Sequence, residues 1–291
     1  MIQSLFSGIS GLKTHQQLLS VVSNNLANVN TVAHKASRAL FQDTLSQVVQ
    51  PPTQSGPLVA GTNGIQIGLG VGLSSVTNLF TQGSLQSTGV NTDLAIEGSG
   101  FFVVRDPTAP AGGGVYYTRA GAFWVDANNY LVDSNGYRIQ GFQTPDQSAP
   151  TVPAAGDPVQ DLVIAPDATQ TGNMVSFSIE SSGRILMQLD DGSVIPVAYI
   201  AMNNFTNEEG LLKVGRNLYQ ETPAANRLFT GYHQPATDGI GAIRAGFLEM
   251  SNVDLGTEFT DMIRAQRGLQ ANSRTITTSD EVLQELINLK R

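Results

Sequence analysis

The stretch Leu255-Gly256-Thr257-Glu258-Phe259-Thr260-Asp261-Met262-Ile263-Arg264-Ala265-Gln266-Arg267-Gly268-Leu269 decides the fold. It opens a run in which Leu255, Met262, Leu269, Ile276 and Leu283 recur at one heptad position. A seven-residue apolar repeat marks a helix that lays a stripe along a helical partner. The companion positions hold Ala265, Asn272 and Ser279 before Leu286, so the seam is half polar. Ser251 and Asp254 have the spacing of a capping box, which starts the helix near Asp254. Run unbroken to Leu289, the helix is roughly 50 Å long at 1.5 Å per residue. Thr275, Thr277, Thr278 and Ser279 disfavour a helix interior, and Thr278 with Glu281 offers a second cap. A continuous helix is nonetheless the expectation.

The stripe needs a partner, and the other end of the chain supplies one. Leu5, Leu12, Leu19 and Leu26 share a heptad position, while Ile2 and Ile9 give way to Gln16 and Ser23 at another. An isolated amphipathic helix of this length is marginal in water, so the two strips are expected to cover each other or copies of themselves. The string Asn24-Asn25-Leu26-Ala27-Asn28-Val29-Asn30 follows. It reads either as a fraying helix end leading into a loop or as amide groups, both donors and acceptors, that knit this end to neighbouring backbones in a packed assembly.

Between the ends the pattern changes. From about Thr31 to Gln82 the chain is rich in Gly and Pro. Ile65, Ile67, Leu69, Val71 and Leu73 alternate there with period two, which predicts extended strand. From Leu94 to Phe247 short β-type runs such as Phe101-Phe102-Val103-Val104 alternate with turn signals. Ala127-Asn128-Asn129, Asp133-Ser134-Asn135-Gly136 and Asp190-Asp191-Gly192 are examples of the latter. Gln143 to Asp161 reads as a linker or long loop. The expected class is α+β: terminal helices packing as a coiled-coil-like layer, with an all-β domain inserted between them. Residues 1–75 and 250–291 make the helical part with its connector, and 76–249 the β-rich part, with 146–227 as a candidate subdomain.

Composition closes off other functions. Lys and Arg number 16 against 24 Asp and Glu, a net charge of -8, so the basic footprint of a nucleic-acid binder is missing. Charged residues make up 14%, which leaves Ser, Thr, Asn, Gln and Gly to cover much of the surface. There is no cysteine, which excludes disulfides, thiolate metal sites and cysteine nucleophiles. No window has the length and apolarity of a membrane span. The three histidines are scattered, without metal-ligand spacing, and His15 falls off the leucine stripe toward solvent. Asp126-Ala127-Asn128-Asn129-Tyr130 lacks the glycine and glutamate of a calcium loop. Glu97-Gly98-Ser99-Gly100 is a tight turn rather than a nucleophile elbow. Asp190-Asp191 and Glu208-Glu209 read as solvated. No catalytic, cofactor-binding or metal site is expected.

Several blocks resemble one family. Asn24 to Thr31 is similar to the N-terminal signature of flagellar rod and hook proteins. Thr81-Gln82-Gly83-Ser84-Leu85, Asp93 to Phe102 and Tyr117-Thr118-Arg119-Ala120-Gly121 resemble the start of their first β domain. Ser251 to Leu255, Met262-Ile263, Ala265-Gln266-Arg267 and Thr278 to Glu281 resemble their C-terminal helix. Glu258 to Ile263, Gln270 to Arg274 and Leu286 to Arg291 look most like the hook member, with a distal rod protein as the alternative. The resemblance implies a structural, non-enzymatic subunit, exported without a cleaved signal into the extracellular flagellum. It also implies self-polymerisation through Leu5, Leu12, Leu19, Leu26, Asn24, Asn25, Asn28, Leu255, Phe259, Met262, Leu269, Ile276, Leu283 and Leu286. Implied partners are adjacent rod and hook-filament junction proteins, the hook cap and the export apparatus. The family follows its asparagines with Thr, any residue, Gly-Phe-Lys; here Thr31-Val32-Ala33-His34-Lys35 stands instead, so a glycine turn and a buried aromatic are replaced.

Overall fold

The computed structural model describes residues 2–52, 54, 61–109, 114–143, 159–165, 174–228, 231–237 and 239–289. The chain divides into two compact units, each built from separated segments. One comprises Met1–Asn28, Ala36–Leu79 and Val253–Arg291; the other Val29–Lys35 and Phe80–Asn252.

The first unit holds both helices, α1 (Ile2–Ala27) and α2 (Leu255–Leu289). At 35 residues α2 is unbroken. Its Thr-rich stretch stays helical, and its hydroxyls are satisfied by carbonyls of the preceding turn. Thr275 donates to the Ala271 carbonyl at 3.1 Å, Thr278 to Arg274 at 2.9 Å and Ser279 to Thr275 at 2.7 Å. The cap is Asp254 rather than Ser251: its carboxylate accepts from the Gly256 amide at 3.0 Å and the Thr257 hydroxyl at 2.8 Å. That pairing uses the first free donors of the helix. The connector is more ordered than its composition suggests. β1 (Ser37–Asp43) pairs antiparallel with β4 (Val71–Asn78), with a bulge at Leu40/Phe41, and β2 (Ser46–Gln50) pairs with β3 (Ile65–Gly68). The Ile65–Leu73 alternation thus belongs to two strands of a doubled-back ribbon. It lies along α1: Thr14 Oγ1 reaches the Val71 carbonyl, Phe41 meets the His15 ring edge-on, and Gln3 meets Gln47.

The β-rich unit is organised around β7 (Phe101–Arg105), after the short β5 (Leu85–Ser87) and β6 (Leu94–Glu97). β7 pairs with β8 (Val115–Thr118) on one side and with Arg138–Gln143 on the other, all antiparallel. Beyond Arg138–Gln143 the same sheet continues through Val194–Ile200, Arg184–Leu189 and Met174–Ile179; beyond β8 it continues through Leu218–Gln220 and Leu212–Gly215. Its alternating side chains separate two cores. Phe102, Val104, Leu94, Ile96, Leu131 and Ile139 lie on one side, and Phe101, Val103, Tyr117, Phe205 and Tyr219 on the other. The strands between 174 and 200 extend the central sheet, so within 146–227 they form no sheet of their own. Most of the stretch read as a linker, 144–158, lies outside the described residues. The predicted turns form as read: Asn129, Gly136 and Gly192 all have positive φ, at 62°, 81° and 80°.

Candidate assembly interface

α1 and α2 run antiparallel, and four contacts fix their register. A Cβ at Gly8 would come within 3.2 Å of Ile276, one at Gly11 within 2.6 Å of Asn272, and one at Gly268 within 2.6 Å of the His15 ring. At the far end Asn25 Nδ2 donates to Glu258 Oε1 at 2.8 Å. Each step along α1 matches an equal step back along α2. The α2 residues turned inward follow the heptad read from sequence: Met262, Leu269, Ile276 and Leu283 are half-buried, and Ala265 is fully buried.

On α1 the seam falls elsewhere. Gly8, Gly11, Thr14, Val22 and Asn25 are its buried residues, with His15 and Leu18 half-buried between them. Small residues let the backbones approach closely, and the polar members of one helix meet those of the other. Leu5, Leu12, Leu19 and Leu26 flank this seam and are only half covered. His15, expected in solvent, is in the seam; the missing side chain at Gly268 makes its space.

Of the asparagines, Asn25 is the structural one. Its amide accepts from the Ser37 N–H at 2.9 Å and donates to the Ser37 carbonyl and to Glu258, both at 2.8 Å. Burial pushes the Glu258 carboxyl up, against the Asn25 hydrogen bond that draws it down. Asn28 Nδ2 closes the last turn of α1 on the Asn24 carbonyl at 2.9 Å, and Asn24 itself is exposed. Within the subunit, Asn25 is thus tied to neighbouring backbone while Asn24 stays exposed. Leu255, Phe259 and Leu286 are exposed, as are Phe6, Ile9 and Ile263. Beside the seam Leu12, Gln16, Leu19, Leu269, Gln270, Ser273 and Arg274 line an open groove.

A second cluster lies wholly in the β-rich unit. Lys35, Arg119 and Glu249 are buried together. Glu249 Oε1 accepts from Lys35 Nζ at 2.6 Å and from the Gly83 amide at 2.9 Å, with Arg119 Nη1 at 3.5 Å. Lys35 also donates to the Thr81 carbonyl, and Arg119 to the carbonyls of Gly98 and Gly100. Burial, reinforced by the Arg119 charge, pulls the Lys35 ammonium down against the attraction of Glu249. Glu208, read from sequence as solvated, is half-buried nearby; burial raises its carboxyl while Arg119 and Lys35 lower it. Gly83 has no room for a Cβ, which would overlap the Met250 carbonyl. The segments 29–35, 81–83, 98–100, 119 and 249–252, scattered in sequence, thus meet at one carboxylate. No periodicity pointed to it. The signal lay in three of the blocks that resemble the family, which contribute Thr81 with Gly83, Gly98 with Gly100, and Arg119.

The departure at Ala33-His34 is accommodated in place. Ala33 adopts φ 54°, the left-handed turn a glycine would make, and its N–H bonds the Glu249 carbonyl at 2.8 Å. His34 fills a buried position, its Nε2 without a hydrogen-bond partner. Burial first, and the Lys213 charge second, lower its pKa to about 4.

Among the described residues no helix is long and apolar enough to cross a membrane, and no cluster of metal ligands occurs. Family models match three parts of the chain: flagella basal body rod protein over residues 5–35, flagellar hook protein FlgE/F/G D1 domain over 95–187, and flagellar basal body rod FlgEFG protein C-terminal over 244–289. The flagellar basal-body rod protein FlgG of Bacillus subtilis (strain 168) is 42% identical over 291 residues, covering 100% of both chains. The FlgG of Buchnera aphidicola subsp. Acyrthosiphon pisum is 35% identical, covering 99% of this chain and 100% of that one. The flagellar hook protein FlgE of Borreliella burgdorferi is 28% identical over an alignment of 448 residues that covers 100% of both. A buried seam, a buried node built from the motif blocks and full-length relatives agree: the chain belongs to the flagellar rod and hook axial family, as a structural subunit rather than an enzyme.

Proposed function

We propose that the chain is the subunit of the distal rod of the bacterial flagellar basal body. The observation that carries this reading is the match to FlgG at 42% identity over 100% of both chains. The hook relative needs an alignment of 448 residues, which leaves long insertions without counterpart here. Distal rod is therefore favoured over the hook reading drawn from the C-terminal residues. In this role the subunit self-associates through α1 and α2, and contacts neighbouring axial proteins at each end of its stack. Support comes from the half-covered leucines of α1 and the exposed Leu255, Phe259 and Leu286 of α2. Apolar surface left in water costs about 25 cal/mol per Å², so such strips favour association. Purified full-length chain, concentrated and viewed by negative-stain electron microscopy, is expected to give straight tubes. Curved tubes would return the hook reading, and monomers at every concentration would remove both.

A further inference from the structure

The dipeptide Asn-Gly occurs twice in the chain, at Asn63-Gly64 and Asn135-Gly136, and the fold treats the two differently. Such a pair invites attack of the glycine nitrogen on the preceding side-chain amide, because no Cβ blocks the approach. At Asn135-Gly136 a hairpin turn ties down both reacting groups. The Gly136 N–H donates to the Asp133 carbonyl at 3.0 Å, and Asn135 Nδ2 donates to Asp133 Oδ2 at 3.0 Å and to the Arg216 carbonyl at 3.4 Å. Asn135 is also half-buried. Asn63 and Gly64 are instead both exposed, in the coil that leads into β3, and among the described residues no hydrogen bond restrains the Asn63 amide or the Gly64 N–H. The surroundings make the place sensitive. From Thr44 to Thr92 the sequence holds no Asp, Glu, Lys, Arg or His, yet Val48, Val49, Ile65 and Ile67 of the β2–β3 ribbon are exposed. Exposed apolar strands are ordinarily guarded by charge, and a two-stranded ribbon is marginal by itself. There is little slack either. A Cβ at Gly64 would come within 3.1 Å of the Pro52 ring and 3.2 Å of the Gln50 carbonyl, beside the pairing of Gln50 with Ile65.

We propose that Asn63 is a site of spontaneous deamidation, converting to aspartate and isoaspartate far faster than Asn135 and loosening the β2–β3 ribbon as it does so. The Gly64 nitrogen gives its proton to solvent base and bonds to Asn63 Cγ, and the side-chain nitrogen leaves as ammonia, which closes a cyclic imide. Water then opens the imide. Cleavage at the side-chain carbonyl yields aspartate; cleavage at the main-chain carbonyl yields isoaspartate, whose backbone is longer by a methylene. No oxidant or reductant takes part. Either product places a carboxylate in a stretch that holds no other charge. The added methylene has no room against Gln50 and Pro52, so the pairing of Gln50 with Ile65 opens first.

Full-length chain, kept dilute in mildly alkaline buffer made with heavy-oxygen water, tests this by peptide mass spectrometry, since each opened imide takes its new oxygen from the solvent. Asn63 should convert at least about tenfold faster than Asn135, because the turn at Asn135 must open before it can react. The same chain in concentrated urea should convert the two at similar rates, which assigns the difference to the fold. Native rates that are equal, or faster at Asn135, overturn the proposal. So does a native Asn63 that keeps its amide while the unfolded chain loses it. In the converted protein the amides of β3 should exchange faster with solvent while those of β7 hold. Asn63→Gln, whose longer side chain closes the ring far less readily, should keep both its mass and its slow β3 exchange under the same treatment. Exchange in β3 that is unchanged after full conversion would overturn the loosening of the ribbon.

Discussion

At the scale of single residues, the departure from the family motif gives two measurable consequences. Ala33 holds a left-handed backbone and is buried. Glycine there would relieve about 1–2 kcal/mol of steric cost. It would also add unfolded-chain entropy of about 0.4–1 kcal/mol and expose no methyl to bury, worth about 0.8 kcal/mol. The opposing effects nearly cancel, so Ala33→Gly should move the denaturation free energy by less than about 0.5 kcal/mol. Ala33→Val has no such offset, since a β-branched residue is a genuine outlier at positive φ, and should cost about 2 kcal/mol or more. The second consequence concerns pH. His34 has its pKa lowered from 6.5 to about 4 in the folded chain. Between those values the unfolded chain binds a proton that the folded one refuses. The contribution is fully present above pH 6.5 and falls away as pH drops toward 4. His34→Phe removes that group and restores the family's aromatic. The difference in urea midpoint between variant and wild type should therefore grow from pH 7.5 to pH 4.5; a difference that stays constant would show that His34 does not titrate this way. The sequence marked this position through the family pattern alone, because a left-handed alanine leaves no trace in periodicity.

Among the elements, the two helices differ in how far their sequences reveal them. On α2 the heptad of Met262, Leu269, Ile276 and Leu283 is the covered face, and the Thr-rich turns between them remain helical with their hydroxyls bonded to the preceding turn. On α1 the line that packs against α2 is not the leucine heptad, whose residues stay half-covered beside it. The seam runs through Gly8, Gly11 and Val22, and glycine carries no hydrophobic signal in a pattern search. Close helix approach selects for the absence of a side chain, which only a partner's position reveals. The same blindness hid the strand pairing of the connector, where β1 and β2 lack a run of alternating apolar residues. Gly11→Leu should push Asn272 out of the seam and cost about 1–3 kcal/mol, read as a lower melting midpoint of the helical signal with the β-rich unit unaffected. An unchanged midpoint would mean that the pair has slack the seam does not show.

For the molecule as a whole, the sequence foretold the order helix, connector, β body, helix, and hid the way the segments interleave. Residues 29–35 sit within the N-terminal part by position, yet they complete the β-rich unit by bringing Lys35 to Glu249. A chain trimmed to 80–252 loses that cation and leaves a buried carboxylate with Arg119 at 3.5 Å as its remaining charged partner. Breaking a buried pair in this way costs about 3–5 kcal/mol. A fragment spanning 29–252 should therefore resist proteolysis far better than 80–252, and equal resistance would deny the node its role. The axial assembly itself is tested most directly by an electron cryomicroscopy map of the polymer formed by purified full-length chain. The account predicts a straight tube whose innermost layer is made of α1 and α2. A tube lined by β-sheet would contradict it.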